Sequence, residues 1–464
     1  MKAERAAPRI VTTPAERQAA GEAQRKACER DWLTRAPKPD DSGRDPLAWL
    51  RASNRGRVPE LVPLRHGRML ASPLAFYRGA ASLMAHDLAA LPHSGVMTQL
   101  CGDAHLANFG FFASPERSLV FDINDFDETL PGPFDWDLRR LATSFVIGAR
   151  DLGFKPRVGR DAVGELTEAY REHMRRFARM DTLEAWYWRL SSQTLIKLGE
   201  QDAAELAVIK KARRSTARVF AKEATERVKG RLMIRDKLPF VYHDAQATRR
   251  EIRRFRAGLP AFLAQYRASL PPERQVLLDR YELHDVAVLT PGVGSVGRRC
   301  FLLLLVADQR HPLFLQCKEA AASVLETHLG GSAVGHAGQR VVNGQRLMQA
   351  AGDIFLGWAG TPGGTSFYVR QLRDMKASYK LEDFRPADLR EFAQACGYGL
   401  ARAHAKGGDA WTISGYLGRS RKFHSALMDF SEAYADVNQA DWQRLRKAVA
   451  GGKLKAIEQA EESA

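Results

Sequence analysis

Gly102, Asp103, His105 and Asn108 in the stretch CGDAHLANFG, with the acidic run Phe121-Asp122-Ile123-Asn124-Asp125-Phe126-Asp127-Glu128 close behind, constrain this chain more than any other feature. Clustered carboxylates repel one another, and a cation is the usual remedy. Asp103 has the chemistry to take a hydroxyl proton. Asn108, five residues on, has an amide oxygen to turn towards a Mg2+ that an Asp on the next strand also holds, which is the arrangement phosphate transfer needs. One loop thus supplies both base and metal ligand.

The metal has three candidate carboxylates. Asp122 closes the run Leu119-Val120-Phe121, while Asp125 and Asp127 belong to the turn beyond it, so all three can project towards one cleft with Asn108. The bland alternative is a polar turn held by Asx hydrogen bonds. His105 reads as a brace for the loop, since a lone His is more often structural than a ligand. Arg65, His66, Arg68 and Arg78 gather ahead of the loop and suit either a phosphate or structural ion pairs.

A second half-site lies far downstream. Gly292-Val293-Gly294-Ser295-Val296-Gly297 matches G-x-G-x-x-G, a weak signal alone. A dinucleotide fingerprint runs from strand into helix, whereas this one leads into Arg299 to Ala307, a strongly β-forming run. Strand, Gly-rich loop, strand is the arrangement that folds over phosphates in kinases. The reading then requires a lysine on the following strand, and Lys318 ends Leu313-Phe314-Leu315-Gln316-Cys317. Its acidic partner is expected at Glu326, with Glu319 second. The strand ending at Gln371 and Leu372 would run into an interlobe hinge able to hold adenine through its backbone.

Gly-Asp-x-His-x-x-Asn, a strand ending in Asp122, and Trp136-Asp137-Leu138-Arg139-Arg140-Leu141-Ala142 together resemble the catalytic half of aminoglycoside and choline phosphotransferases in the protein-kinase-like superfamily. The runs Arg68 to Ala149 and Gly292 to Glu326 resemble, more closely, the bacterial family of domain of unknown function 2252. The resemblance implies a nucleotide, ATP, and Mg2+ as cofactors. It also implies that Asp137 anchors the catalytic loop, and that Cys101 stands where phosphotransferases carry a bracing His. Because the Gly loop and Lys318 follow the base and metal ligands, the reverse of kinase order, a circular permutation is inferred. Gly399 to His404 resembles the helix that precedes the catalytic loop.

The expected fold is α+β: a two-lobed, permuted kinase-like architecture with a small antiparallel sheet lobe and a large, mostly helical lobe. Residues 1–45 read as a loosely ordered extension apart from a helix around Ala15 to Trp32. Residues 46–155 carry the catalytic loop, 156–280 form a helical subdomain, 281–380 the β-rich nucleotide lobe, and 381–464 C-terminal helices.

At 464 residues, 45% apolar and 27% charged, the chain can bury a large core. Its longest apolar run, Phe301 to Ala307, is far short of a membrane span. The N-terminus lacks an apolar core and mixes acids with bases, so the expected compartment is the cytoplasm. Five scattered cysteines fit neither a disulfide framework nor a zinc knuckle.

A net charge of +16 draws polyanions generally, and Lys210 to Lys237 is the densest basic patch, with eleven Lys or Arg. The leading expectation is an ATP- and Mg2+-dependent phosphotransferase acting on an unidentified hydroxyl acceptor. Nucleotidyl transfer and a catalytically silent nucleotide-binding scaffold are the alternatives. A nucleic-acid-binding protein led by the basic patch ranks last, because no reading motif accompanies it.

Overall fold

The computed structural model describes residues 12–28, 30–39, 43–194, 203–214, 217–246, 248–290, 293–372, 377 and 379–457. They form a mixed α and β structure around two main apolar cores. The larger core is helical. At its centre the helix Phe134–Asp151 is buried on all sides from Phe134 to Ala149, the pattern of a helix enclosed by others. Pro156–Arg179, Pro386–Gly407 and Lys422–Ala450 pack around it. Four short strands, β1 (Met97–Leu100), β2 (Phe109–Ala113), β3 (Leu119–Ile123) and β4 (Leu130–Pro133), lie on this core. They pair antiparallel, β1 with β4 and β2 with β3. The Asp103 loop is therefore the β1–β2 connection, and Asn124 to Thr129 the β3–β4 connection.

The smaller core is built on a six-stranded antiparallel sheet. A hairpin of β5 (Thr225–Val228) and β6 (Arg231–Ile234) precedes it. The sheet comprises β7 (Val241–Tyr242), β8 (Glu282–Leu289), β9 (Cys300–Ala307), β10 (His311–Glu319), β11 (Gly357–Gly360) and β12 (Ser366–Gln371), in the order β11-β12-β10-β9-β8-β7. Strand alternation divides its two faces. Leu313, Leu315 and Cys317 of β10, with Phe301 and Leu303 of β9, pack on Phe255, Phe262 and Tyr266 of the helix Arg249–Ser269. Phe314, Gln316 and Lys318 point the other way. No described helix is long and apolar enough to cross a membrane, and all five cysteines are free thiols.

Several boundaries differ from expectation. The N-terminal helix is present at Pro14–Ala27, closed by a Thr13–Glu16 capping box. It packs on Ala410–Leu417 so closely that a Cβ on Gly21 would stand 1.9 Å from the Thr412 carbonyl oxygen. Trp32 and Leu33 enter the large core, so this stretch is part of that lobe rather than a loose extension. Residues 156–280 do not form one helical subdomain. Pro156–Arg179 belongs to the large core, whereas Arg249–Ser269 covers the sheet and β5 to β7 lie between them. Between the helix Ala337–Met348 and β12, strand begins only at Gly357. Asp353 instead holds a turn, its carboxylate accepting the Phe355 and Gln371 N–H groups.

Candidate active site

The β1–β2 loop is fixed from below by one stripe of the helix Phe134–Asp151. Asp137 accepts the Cys101 N–H at 2.7 Å and the Gly102 N–H at 3.0 Å. Arg140, one turn on, reaches Asp103, and Ser144 accepts the Leu106 N–H at 3.0 Å. The spacing i, i+3, i+7 puts all three on one helix face, and successive loop residues meet them in order. Gly102 has φ of +84° and its absent Cβ would stand 2.3 Å from the Glu128 carbonyl oxygen; only glycine fits such a position. Asp137 thus anchors the loop as expected. The imidazole missing at Cys101 has a counterpart from elsewhere in the chain: His404 Nε2 lies 3.3 Å from Asp137 Oδ2 and its Nδ1 meets the Tyr170 hydroxyl at 2.8 Å.

Asp103 is one-fifth exposed at the end of this scaffold, its Oδ1 2.5 Å from Arg140 Nη2. Burial pushes its carboxyl above the ordinary carboxylate range against the pull of Arg140. His105 Nε2 stands 3.9 Å from Asp103 Oδ2. Burial, then Arg78 and Arg140, drive its pKa far down, so it is a neutral ring packed behind the base. Asn108 donates its Nδ2 to the Asp103 carbonyl at 2.8 Å. The Asn124 N–H bonds the Asn108 carbonyl at 2.8 Å and brings the acidic turn alongside.

Asp122 does not join that turn. It is fully buried, with Arg402 Nη2 at 2.8 and 3.0 Å from its two oxygens and the Ala350 N–H on Oδ2 at 2.6 Å. Arg402 also bonds the Met348 carbonyl. Both oxygens are paired inside the protein and the side chain is fully buried, so Asp122 does not stand with Asp125 and Asp127 as the metal reading expected. The reason is strand alternation: Asp122 belongs to β3 itself and faces the helix Pro386–Gly407, whereas Asp125 and Asp127 lie beyond the strand end.

Those two carboxylates face Lys318. Its Nζ is 2.5 Å from Asp127 Oδ2 and 3.5 Å from Asp125 Oδ2, and its side chain is 3% exposed. Tyr368 donates to Asp127 at 2.7 Å, and Arg370 to the Asn124 carbonyl at 3.0 Å. Burial opposes ionisation throughout, yet Lys318 and Arg370 hold the Asp125 carboxyl below its usual range. Asp127, buried beside charged Asp125, is pushed up. Glu326 is not the partner of Lys318. It sits on a short helix, Glu326–Leu329, accepts the Ser323 N–H and pairs with Arg340 at 3.4 Å. Glu319, the second choice, points to the opposite face and binds Arg299 at 3.0 Å. The lysine meets the acidic turn directly instead.

Of the glycine-rich loop, Gly292 lies outside the described residues. Gly294, Ser295 and Gly297 form the β8–β9 turn, with one 3-10 turn at Val293–Ser295. Val58 N–H bonds the Gly297 carbonyl at 2.7 Å, and Arg57 Nη1 bonds the carbonyls of Gly294 at 3.0 Å and Val296 at 2.6 Å. The glycine-rich loop is thereby tied to Arg57 and Val58, ahead of the Asp103 loop in sequence. Gln371 ends β12, and its side chain lines a cavity of 810 Å3 with Arg370, Asp353 and Tyr281 that includes neither Asp103 nor Lys318. On the Lys318 face, Leu302, Leu304 and Phe314 are covered by Phe220 and Ala221 of the helix Ala217–Ala224 and by Ile234 of β6. Only the later part of the basic patch joins this cover; Lys210, Lys211, Arg213 and Arg214 belong to the helix Ala203–Arg214, which packs on β2 and β3, and they point to solvent.

Among the described residues no three His, Cys, Asp or Glu side chains gather as a closed metal cage. Asn108, Asp125 and Asp127 offer hard oxygens only. Such a set suits Mg2+, which binds through one or two carboxylates and keeps waters and substrate phosphates for the rest.

Arg140, Arg402, His404, Tyr368 and Arg370 were missed by sequence reasoning as members of this site. For Arg140 a signal existed: Asp137, Arg140 and Ser144 recur at i, i+3 and i+7 and so share one face of the helix. The chain matches, over residues 57–448, the family described as "Uncharacterized protein conserved in bacteria (DUF2252)". It belongs to that family. No curated protein and no solved structure matches it.

Proposed function

We propose that this protein is an ATP- and Mg2+-dependent phosphotransferase of protein-kinase-like, circularly permuted fold that acts on a hydroxyl acceptor. The observation that carries the reading is that Lys318 pairs with Asp125 and Asp127 in a turn which the Asn124 N–H ties to the Asp103–Asn108 loop. Lys318 reaches that turn from the strand after a hairpin with a glycine-rich turn, as the kinase arrangement requires. The order β11-β12-β10-β9-β8 and the docking of the Pro386–Gly407 helix on β1 support the permutation; Thr98 Oγ1 bonds the His404 carbonyl at 3.1 Å.

In this reading Asp103 accepts the acceptor proton, and its raised pKa suits a base working near neutrality. Arg140 orients it. Asn108, Asp125 and Asp127 would hold Mg2+, which on binding neutralises charge on the phosphates. Lys318 then exchanges its carboxylates for phosphate oxygens while the loop from Gly294 to Gly297 covers them.

The test is thermal stability with ATP, with and without Mg2+, for wild type and Lys318→Met, followed by turnover of Asp103→Asn. A ligand at a hundred times its Kd stabilises by about 2.7 kcal/mol. A Mg2+-dependent shift that Lys318→Met loses is the expected result. No shift at saturating ATP, or full turnover by Asp103→Asn, refutes the reading.

A further inference from the structure

The 810 Å3 cavity at the end of β12 is walled by segments of both cores. The large core supplies the β2–β3 turn and Asn124, just past β3; the sheet supplies the β9–β10 turn and the last residues of β12. Three arginines line it, each from a different segment. Arg117 stands in the β2–β3 turn with φ of 64°, Arg310 follows Asp308 and Gln309, whose φ values of 48° and 56° close the β9–β10 hairpin, and Arg370 is the penultimate residue of β12.

Against them the described lining holds a single carboxylate, Asp353, whose oxygens accept the Phe355 and Gln371 N–H groups. Asp308 turns to His311 at 3.6 Å and does not line the cavity. Arg310 is exposed and forms no ion pair among the described residues. Arg370 donates Nε to Gln316 Oε1 at 2.9 Å and Nη1 to the Asn124 carbonyl at 3.0 Å, and its Nη2 has no hydrogen-bond partner among the described residues. Much of the remaining wall is apolar. Tyr281 meets Phe355 edge to face at 6.4 Å, and its hydroxyl likewise has no described partner. Strand register brings ring and charge to one end of the sheet: Glu282 pairs with Val306 and Ala307 with His311, so Tyr281 and Arg310 flank the same turn. An apolar wall with a few convergent polar groups is the usual form of a small-molecule site. An inorganic anion would leave the rings wet, and a neutral ring would leave the guanidinium groups unanswered.

We propose that this cavity binds a small aromatic anion, its ring against Tyr281 and its charged group on Arg310, in the field of Arg117 and Arg370. The site is separate from the one proposed for the nucleotide phosphates, because Asp103, Lys318 and the turn from Gly294 to Gly297 do not line it. It adjoins that site through Asn124, which lines the cavity and directly precedes Asp125.

The experiment is calorimetric titration of the full chain with phenyl phosphate, beside inorganic phosphate and phenol. The expected result is one-to-one binding of phenyl phosphate, about tenfold tighter than that of either simpler compound. Arg310→Gln, at an exposed position, should weaken it about tenfold, the loss of one charge-assisted contact. Gly352 also lines the cavity, and a Cβ there would meet no atom within 4 Å, so Gly352→Trp should fill the space without disturbing the fold and abolish binding. Lys210→Gln on the outer surface should change nothing. Equal affinity for inorganic phosphate would reduce the effect to the attraction of a chain of net charge +16 for anions, and would overturn the proposal. So would the absence of one-to-one binding, or binding undiminished in both Arg310→Gln and Gly352→Trp. Displacement of phenyl phosphate by a non-hydrolysable ATP analogue with Mg2+ would assign the cavity to the nucleotide and equally overturn it.

Discussion

The buried pair Asp122–Arg402 separates a structural carboxylate from a metal-binding one, and substitution decides between them. Side-chain exposure is 0% for Asp122 and 2% for Arg402, and two contacts at 2.8 and 3.0 Å join them. Asp122→Asn preserves shape but leaves the guanidinium in the core with only the Met348 carbonyl and a neutral amide. Breaking one side of a buried pair costs about 3–5 kcal/mol. Weakening the 2.6 Å acceptance of the Ala350 N–H lies within that range, because a charge-assisted bond contributes about 1.5–3 kcal/mol. Arg402→Met should cost a similar amount, and the double variant should lose clearly less than the sum, since no charge remains uncompensated. The assay is urea denaturation of the four proteins, each with Mg2+ and with chelator. A two-lobed chain can depart from two-state behaviour, so the transition should be followed by two probes. Additive losses, or a penalty for Asp122→Asn that appears only with Mg2+, would refute the structural role and return Asp122 to the metal.

Two pH dependences follow from the same chemistry. Asp103 must be ionised to accept a proton and its pKa is raised by burial, so kcat/KM should fall with decreasing pH at a point above the ordinary carboxylate range; a profile flat down to pH of about 4 would contradict this. His243 is bonded to Asp285 at 2.8 Å and to Asp236 at 2.6 Å, and the Asp285 bond leads in raising its pKa. Its contribution to stability is complete below the free imidazole value of about 6.5 and is lost as pH climbs through the raised value. His243→Gln should therefore flatten the decline of melting temperature across that window, and an unchanged slope would remove His243 as its cause.

Local chemistry made much of this site readable. Spacing found the loop from Gly102 to Asn108, and strand-forming runs placed Lys318 on β10 after the glycine-rich turn. Ser72 and Pro73 are a local start signal of the same kind: Ser72 caps the helix Pro73–Gly79, its side chain accepting the Ala75 N–H at 3.1 Å. What stayed hidden depends on contacts between distant segments. Nothing local to Asp122 announces that its partner is Arg402, 280 residues away. The choice of Glu326 for Lys318 assumed a long helix beside β10, yet the helix there ends at Leu329 and the next begins at Ala337. Helical periodicity between 156 and 280 was real for Pro156–Arg179 and Arg249–Ser269, but periodicity says nothing of which core a helix joins.

A helix far downstream in the sequence holds the Gly102–Asn108 loop in place. Arg402 and His404 come from Pro386–Gly407, and they secure Asp122 and, through Asp137, the Gly102 backbone. A nascent chain that already contains Asp103, Asn108 and the acidic turn still lacks these braces, and its central helix Phe134–Asp151 still lacks its C-terminal neighbours. Such a chain exposes apolar surface until the segment from residue 386 to 450 has been made, the circumstance in which chaperones and aggregation compete. Loss of residues 386–464 would thus remove the braces of the Gly102–Asn108 loop while leaving its sequence intact, and folding here should be slowed by its many contacts between distant parts of the chain.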